Sequence, residues 1–185
     1  MNDFGNDKKS VVQANLDAQK IAFAPIMFQA AKSLRNLGIL EYLFDNKKAS
    51  VETVAEALKL SVYGAKVLLE AGLSLEMVYL KNDEYYLTKT GYFILRDTMT
   101  NINMDFTQDV NYLAINHLEE SIVNGKPEGL KELGNWDTVY IGLSELPGRS
   151  KKSWFDFDHF YSDYTFPDVM PILFKEHPKS FLDVG

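Results

Sequence analysis

The stretch between Ser10 and Leu37 constrains the fold more than any other part of the chain. Its apolar spacing predicts a helix that breaks near Pro25, because proline removes a backbone donor and crowds the preceding turn. The second half carries almost no charge, so this helix must be covered nearly all round. A chain of 185 residues has few elements that could cover it. We therefore predict that a second copy of the chain does so; burial within a single chain is the alternative. The apolar positions of this surface are Val12, Leu16, Ile21, Phe23, Ile26, Met27 and Ala30.

The next part of the chain follows the order helix, turn, helix, hairpin. We predict helices over 51–58 and 62–72, since apolar residues recur on one face of each segment and a serine suited to capping precedes each. A hairpin is predicted over 77–88, where Lys81-Asn82-Asp83 separates two strand-like runs. This is the element order of a winged helix.

Composition excludes several classes of site. The chain has no cysteine, which removes disulfides, thiolate metal sites and cysteine nucleophiles. Its three histidines lack metal-ligand spacing, so no metal site is predicted. The net charge of −7 disfavours a nucleic-acid partner, whose phosphates attract a basic surface. No apolar run is long enough to span a bilayer and the first residues do not resemble a signal peptide, so we expect a cytoplasmic protein.

One function that this element order allows is that of a winged-helix regulator that binds DNA. A recognition helix needs basic and amide side chains aimed at base edges. The second predicted helix instead offers Lys66 beside Glu70, and the hairpin offers Lys81 beside Asp83 and Glu84. A non-catalytic dimerisation module is the second alternative.

The region after the hairpin is predicted to be helical and rich in aromatic residues. A long helix is expected over 104–123, where apolar residues share a face. Shorter helices are expected over 128–165, broken at Gly134 and at Pro147-Gly148. So many aromatic side chains suit broad helix interfaces or a pocket for a flat ligand.

The end of the chain has the pattern of a buried parallel strand. Pro167 can open a last helix, and His177-Pro178 would end it because the residue before proline avoids the helical conformation. Phe181 to Val184 then predicts a strand, which Gly185 follows.

Phe-Leu-Asp-Val-Gly over 181–185 resembles the first strand and glycine-rich turn of methyltransferases that use S-adenosylmethionine (SAM). Glycines in that turn let the backbone bend sharply and approach the cofactor. The resemblance implies that Asp183 and Gly185 contact SAM. The element order over most of residues 10–185 also resembles the plant-type and bacterial small-molecule O-methyltransferases, in which a winged-helix region serves as the dimerisation domain.

The segment Phe160-Tyr161-Ser162-Asp163-Tyr164-Thr165 is similar to F-N-x-x-M-S-D-H-S, a stretch that precedes the cofactor strand in this family. Ser162 and Asp163 match the S-D pair and Thr165 falls on the final Ser, whereas the Asn and Met are not clearly matched. The resemblance implies that a hydroxyl of Ser162 or Thr165 binds the carboxylate of SAM. It also implies that Phe160, Tyr161 and Asp163 form part of the substrate wall.

These observations predict a mainly α fold: a winged-helix dimerisation domain, a helical connector, and the first strand of a Rossmann-like methyltransferase domain that is truncated. We expect a disordered leader at 1–9, the dimerisation domain at 10–100, the connector and substrate-wall region at 101–178, and an incomplete SAM-binding domain at 179–185.

The expected function is that of the dimerisation and substrate-wall part of a SAM-dependent O-methyltransferase acting on a small hydroxylated aromatic molecule. A homodimer is expected through residues 10–37 with help from 104–123, together with a small-molecule substrate and neither nucleic acid nor membrane as a partner. The family's catalytic histidine lies beyond the first cofactor strand. No catalytic residue is therefore assigned within this chain, and the chain alone is expected to be inactive.

Overall fold

The computed structural model describes residues 7–182, which form two compact units, residues 7–97 and residues 98–182. The first holds five helices and a two-stranded hairpin, and the second holds four α-helices joined by shorter helical turns. The hairpin is the only sheet within residues 7–182, so the described chain is mainly α, as predicted.

The first unit begins with helix α1, Val11–Asn36. The Ser10 hydroxyl caps it by accepting a hydrogen bond from the backbone N–H of Gln13, at 3.1 Å. The predicted break near Pro25 is wrong, because the helix continues through this residue. Proline removes one backbone hydrogen bond, but long helical stretches on both sides keep the helix cooperative across that gap.

The predicted helix–turn–helix and hairpin are confirmed. Helices α3, Val51–Leu58, and α4, Val62–Ser74, are each capped by the hydroxyl of the preceding serine. Strand β1, Val78–Lys81, pairs antiparallel with β2, Glu84–Leu87. Both residues between the strands have positive φ values, 52° and 62°, which asparagine and aspartate tolerate in a two-residue hairpin turn.

The core of the first unit joins these elements to two further helices. Helix α2, Ile39–Asn46, follows α1, and α5, Lys89–Arg96, follows the hairpin. The Thr88 hydroxyl caps α5 by accepting from the N–H of Gly91 at 3.1 Å. Complete burial of one large apolar side chain stabilises a fold by about 1.5–3 kcal/mol. The side chains with almost no exposed surface are Leu34, Ile39, Leu40, Leu43, Val54, Leu69 and Met77.

The second unit begins with α6, Thr98–Phe106, and lacks the continuous helix predicted over 104–123. The chain passes through a π-helix, Thr107–Asn111, and a 3-10 helix, Ala114–His117, before α7, Leu118–Asn124. The prediction of one helix is wrong because hydrogen bonds from residues about 40 positions later in the chain fix the conformation of this segment. The apolar periodicity of 104–123 does not indicate these long-range contacts.

The last helix is longer than the sequence predicted. A 3-10 helix, Glu128–Glu132, and α8, Val139–Gly142, precede α9, Gly148–Leu173. The interruptions predicted at Gly134 and Pro147-Gly148 are confirmed. The shorter helices predicted up to 165 and the separate helix opening at Pro167 are wrong, because α9 runs through both Pro167 and Pro171.

The strand predicted over 181–184 is absent from its described part. Phe181 and Leu182 have no regular secondary structure, and residues 183–185 lie outside the described chain. A strand is stabilised by pairing with neighbours. The second unit offers no other strand within residues 98–182.

Candidate dimer interface and ligand-facing segment

Helix α1 is divided into a half that packs on its own unit and a half that faces outward. Only Ala31 and Leu34, both in its second half, are buried. Phe23 leaves 51% of its surface exposed and Ile26 leaves 66%. Exposed apolar residues are common singly, but a contiguous row of them marks an interaction surface. The other exposed apolar side chains of this half are Val11, Val12, Leu16 and Ile21.

This outward row forms one wall of an apolar groove of about 380 Å³ in the first unit. Residues of α1, including Phe23 and Met27, line one side, and Ala71 and Ser74 of α4 line the other. The small side chains of α4 leave room beside the bulky ones of α1. Sequence reasoning identified the α1 wall but missed α4, although the small residues at the end of that helix were a usable signal.

The segment 104–123, which is predicted to contribute to the dimer interface, contains both buried and exposed apolar side chains. Met104 and Val110 are buried within the second unit, whereas most of the later apolar side chains are exposed. Its part in a dimer stays a prediction. The exposed members are Leu113, Ile115, Leu118, Ile122 and Val123.

A buried carboxylate fixes the π-helix of the second unit to α9. The Asp109 side chain is 8% exposed and forms an ion pair with Arg149 at 2.9 Å. It also accepts a hydrogen bond of 2.7 Å from the buried hydroxyl of Ser153, and its backbone carbonyl accepts one of 2.8 Å from Ser150. All these donors lie on α9. Asp109 therefore fixes the π-helix against α9, a contact that the sequence did not indicate.

The π-helix and its neighbours line an apolar pocket of about 340 Å³. Its walls include Val110, Ile115, Leu118 and Leu130, and Trp154 of α9. No charged residue lines it. Such a pocket would accept a flat apolar group. The sequence alone could not predict it, because the wall residues come from six separate helical segments.

The predicted ligand-facing segment, residues 160–165, forms two turns of α9. Ser162 and Thr165 are three positions apart and therefore share a face of the helix. Ser162 is half-buried, whereas Thr165 is exposed and its hydroxyl donates to the backbone carbonyl of Tyr161 at 2.9 Å. The helix thus brings the two hydroxyls together, with the donor of Thr165 already engaged.

The aromatic residues of this segment extend a row of rings along α9. Tyr161 packs on Phe157 with ring centroids 4.9 Å apart, and Phe157 stacks on Phe106 of α6 at 4.1 Å. The Tyr161 hydroxyl donates to the side-chain carbonyl of Asn103 at 3.0 Å. Phe160 packs edge-on against Tyr161 at 5.3 Å and against Tyr164 at 5.0 Å, so it continues the row of rings along the helix.

The remaining residues of the predicted site are less constrained. Asp163 is exposed and lies 3.7 Å from the ring of His159. Asp183 and Gly185, predicted to contact SAM, lie outside the described residues.

Within residues 7–182, no group of three or more histidine, aspartate or glutamate side chains could hold a metal ion. No helix in that range is both long and apolar enough to cross a membrane.

The second helix of the helix–turn–helix presents little basic surface. Lys66 lies 3.9 Å from Glu70, one turn further along α4. Val62, Tyr63 and Val67 of the same helix are exposed. These exposed side chains do not supply the basic and amide groups that contacts with the phosphates and base edges of DNA require.

Comparison with known proteins places these features in context. Residues 15–85 match the family model of the Dimerisation2-like domain. No curated protein matches the sequence. The fold is similar to that of the S-adenosylmethionine-dependent methyltransferase SibL, with a TM-score of 0.68 and 22% identity over 82% of this chain and 45% of that one.

Two further solved structures share the fold. PigF, solved with SAH, gives a TM-score of 0.65 and 15% identity over 89% of this chain and 48% of its own. The N,N-8-amino-8-demethyl-D-riboflavin dimethyltransferase RosA from Streptomyces davawensis gives 0.62 and 15% over the same shares. The chain therefore spans just under half the length of these proteins.

The match over residues 15–85 covers most of α1, the helix–turn–helix, β1 and the start of β2, and it includes both walls of the apolar groove. Residues 15–85 of the first unit are therefore similar to the Dimerisation2-like domain, and the chain shares its fold with the amino-terminal helical part of the S-adenosylmethionine-dependent methyltransferases compared above.

Proposed function

We propose that this chain is the dimerising and substrate-facing part of a SAM-dependent methyltransferase that acts as a homodimer on a small hydroxylated aromatic molecule. The observation that carries the proposal is the outward apolar row of α1, whose members from Leu16 onward lie inside the segment that matches a dimerisation domain. The methyltransferases of similar fold supply the expected reaction.

The dimer follows from the unfavourable exposure of α1. A two-fold partner would place its own α1 or α4 against the groove, because a two-fold contact uses the same surface on both copies. Permanent dimers bury about 2,000 Å² or more. The outward half of α1 and the groove beside it offer a long apolar strip for such an interface.

The second unit supplies the proposed substrate wall. Its apolar pocket and the ring row along α9 suit a flat aromatic molecule, since aromatic rings prefer offset or edge-to-face neighbours. Bound SAM would supply an electrophilic methyl group. The protein's share of that reaction is to hold the acceptor in line and to exclude water. Ser162 is proposed to bind the carboxylate of SAM, with Thr165 in support.

No described residue is proposed as the catalytic base. Both ring nitrogens of His117 are engaged, with Glu120 at 3.1 Å and Glu132 at 2.9 Å. His159 is exposed beside Asp163. As the family resemblance implies, we propose that the base comes from sequence that follows the described residues, where Asp183 and Gly185 of the cofactor turn also lie.

The test is calorimetric titration of SAM into the complete protein that contains this chain. We expect binding, and a loss of roughly tenfold in affinity for Ser162→Ala, the effect of one hydrogen bond to a charged group. Ser144→Ala, at an exposed serine of the same unit, is the matched control and should bind normally. Absence of SAM binding by the wild type would refute the methyltransferase proposal. Normal binding by Ser162→Ala would refute only the assignment of that hydroxyl.

A further inference from the structure

A second concave surface lies in the first unit, between the end of α2, the hairpin and the start of α5. Its volume is about 540 Å³, within the range of roughly 300–1,000 Å³ typical of small-molecule sites. We name it the wing groove; Phe44, Lys47, Tyr79, Tyr86, Lys89 and Tyr92 define it. It shares no lining residue with the apolar groove of α1 and α4.

Aromatic rings form the walls of the wing groove. Tyr79 and Tyr86 stack across the hairpin, with centroids 4.9 Å apart and planes inclined by 11°. On the other side Phe44 packs against Tyr92 at 5.7 Å. Phe44, Tyr79 and Tyr92 each leave more than 40% of their surface exposed. The guanidinium of Arg96 lies over the Phe44 ring, 5.0 Å from its centroid. A flat ring placed between these walls would cover the aromatic surface that remains exposed.

The charge of the wing groove is positive although the chain carries a net charge of −7. Lys47 and Lys89 line it, and no carboxylate does. The neighbouring cations are neutralised: Lys48 pairs with Glu84 and Arg96 with Glu41, each at 2.5 Å. Within residues 7–182, Lys47 and Lys89 have no such ion pair. Two uncompensated cations therefore face one aromatic groove.

The amino terminus of α5 adds to this positive field. Thr88 caps the helix, Lys89 opens it, and both residues line the wing groove. A helix amino terminus favours negative charge, by its unpaired N–H groups and its dipole. This contribution supports that of the two lysines, because it acts at the same wall.

We propose that the wing groove binds a flat aromatic anion, such as an aromatic carboxylate. The ring lies between the tyrosine pair and Phe44, and the carboxylate pairs with Lys47 and Lys89. This site is separate from the methyl-transfer proposal, since every residue that forms it belongs to the first unit. It would bind a ligand whether or not the complete protein binds SAM.

The test is an NMR titration of the 185-residue chain with naphthalene-2-carboxylate, using naphthalene-2-methanol as the neutral control. For a ligand of this size we expect a dissociation constant of about 1 mM or tighter. The carboxylate should bind roughly tenfold more tightly than the alcohol, as expected for one charged hydrogen bond. Shifts should concentrate at Tyr79, Tyr86 and Tyr92. Chemical-shift changes in the titration with the neutral alcohol also show whether the naphthalene ring alone binds to the apolar groove of α1 and α4.

Exposed lysines provide matched variants that should leave the fold intact. Lys47→Gln and Lys89→Gln should each weaken carboxylate binding roughly tenfold, whereas Lys81→Gln, on the hairpin but outside the wing groove, should change it less than twofold. Equal binding of the two ligands, or no binding, would overturn the proposal. So would lysine variants that behave like Lys81→Gln. Conversion of a dimer to monomer by the carboxylate would show that a second copy of the chain occupies the groove instead.

Discussion

Truncation of Phe23 to alanine is expected to dissociate the proposed dimer while leaving the first unit folded. The Phe23 ring belongs to the outward half of α1, and 51% of its surface is exposed in the single chain. It contributes to one wall of the groove that α1 shares with α4. Because the ring is not part of the buried core, its loss should affect association far more than folding.

The size of the effect follows from the exposed area. A phenylalanine side chain has about 200 Å² to bury, so roughly 100 Å² of Phe23 is available to a partner. At about 25 cal/mol per Å², covering it is worth about 2.5 kcal/mol. A two-fold dimer contains this contact twice, so the substitution should weaken association by about 5 kcal/mol. That corresponds to more than a thousandfold in dissociation constant.

Light scattering over a dilution series measures this change directly. The wild type should have the mass of two chains at micromolar concentration, and Phe23→Ala the mass of one, with an unchanged far-ultraviolet circular dichroism spectrum. Tyr140→Ala removes an exposed ring of the second unit, outside α1 and α4, and should remain dimeric. A monomeric wild type, or a dissociation constant for Phe23→Ala within threefold of the wild-type value, would refute the assignment of the interface to α1.

Three further predictions concern stability. Gly91→Ala should destabilise the first unit by about 1–3 kcal/mol in thermal unfolding, because an added Cβ would overlap the backbone carbonyl of Met77, which no rotamer change can relieve; an unchanged melting temperature would contradict this. Asp109→Ala should destabilise the second unit by about 1–3 kcal/mol in urea unfolding followed by tryptophan fluorescence, since it removes charged hydrogen bonds. Hydrogen bonds from Lys131, then His117, hold the pKa of Glu120 below its ordinary value. These hydrogen bonds therefore stabilise the folded second unit fully above pH about 4.3, the ordinary pKa of a glutamate, and this stabilisation is lost as pH falls through the lowered pKa of Glu120. Glu120→Gln should therefore make the acid-induced loss of stability shallower.

Local sequence signals were sufficient for the helix–turn–helix and the hairpin of the first unit. The serines before α3 and α4 cap those helices, and the Asn82-Asp83 pair turns the hairpin, because each of these effects acts over a few residues. The exposed apolar face of α1 was also readable, since a helix with so little charge has no side suited to water. The role of the 160–165 segment, which a family resemblance implied, stays a prediction, and the sequence did not indicate that the Thr165 hydroxyl donates to the backbone of Tyr161.

Tertiary contacts decided what local signals could not. The periodicity of 104–123 predicts one helix, yet donors on α9, about 40 residues away, hold Asp109 in a π-helix. Proline signals at 25 and 167 predict breaks, but each proline removes only one backbone bond and the flanking turns maintain the helix. The wing groove likewise depends on three elements meeting in space. The sequence by itself determined caps, turns and apolar faces, which depend on neighbouring residues; the π-helix and the grooves arise from long-range contacts, whose partners no local pattern specifies.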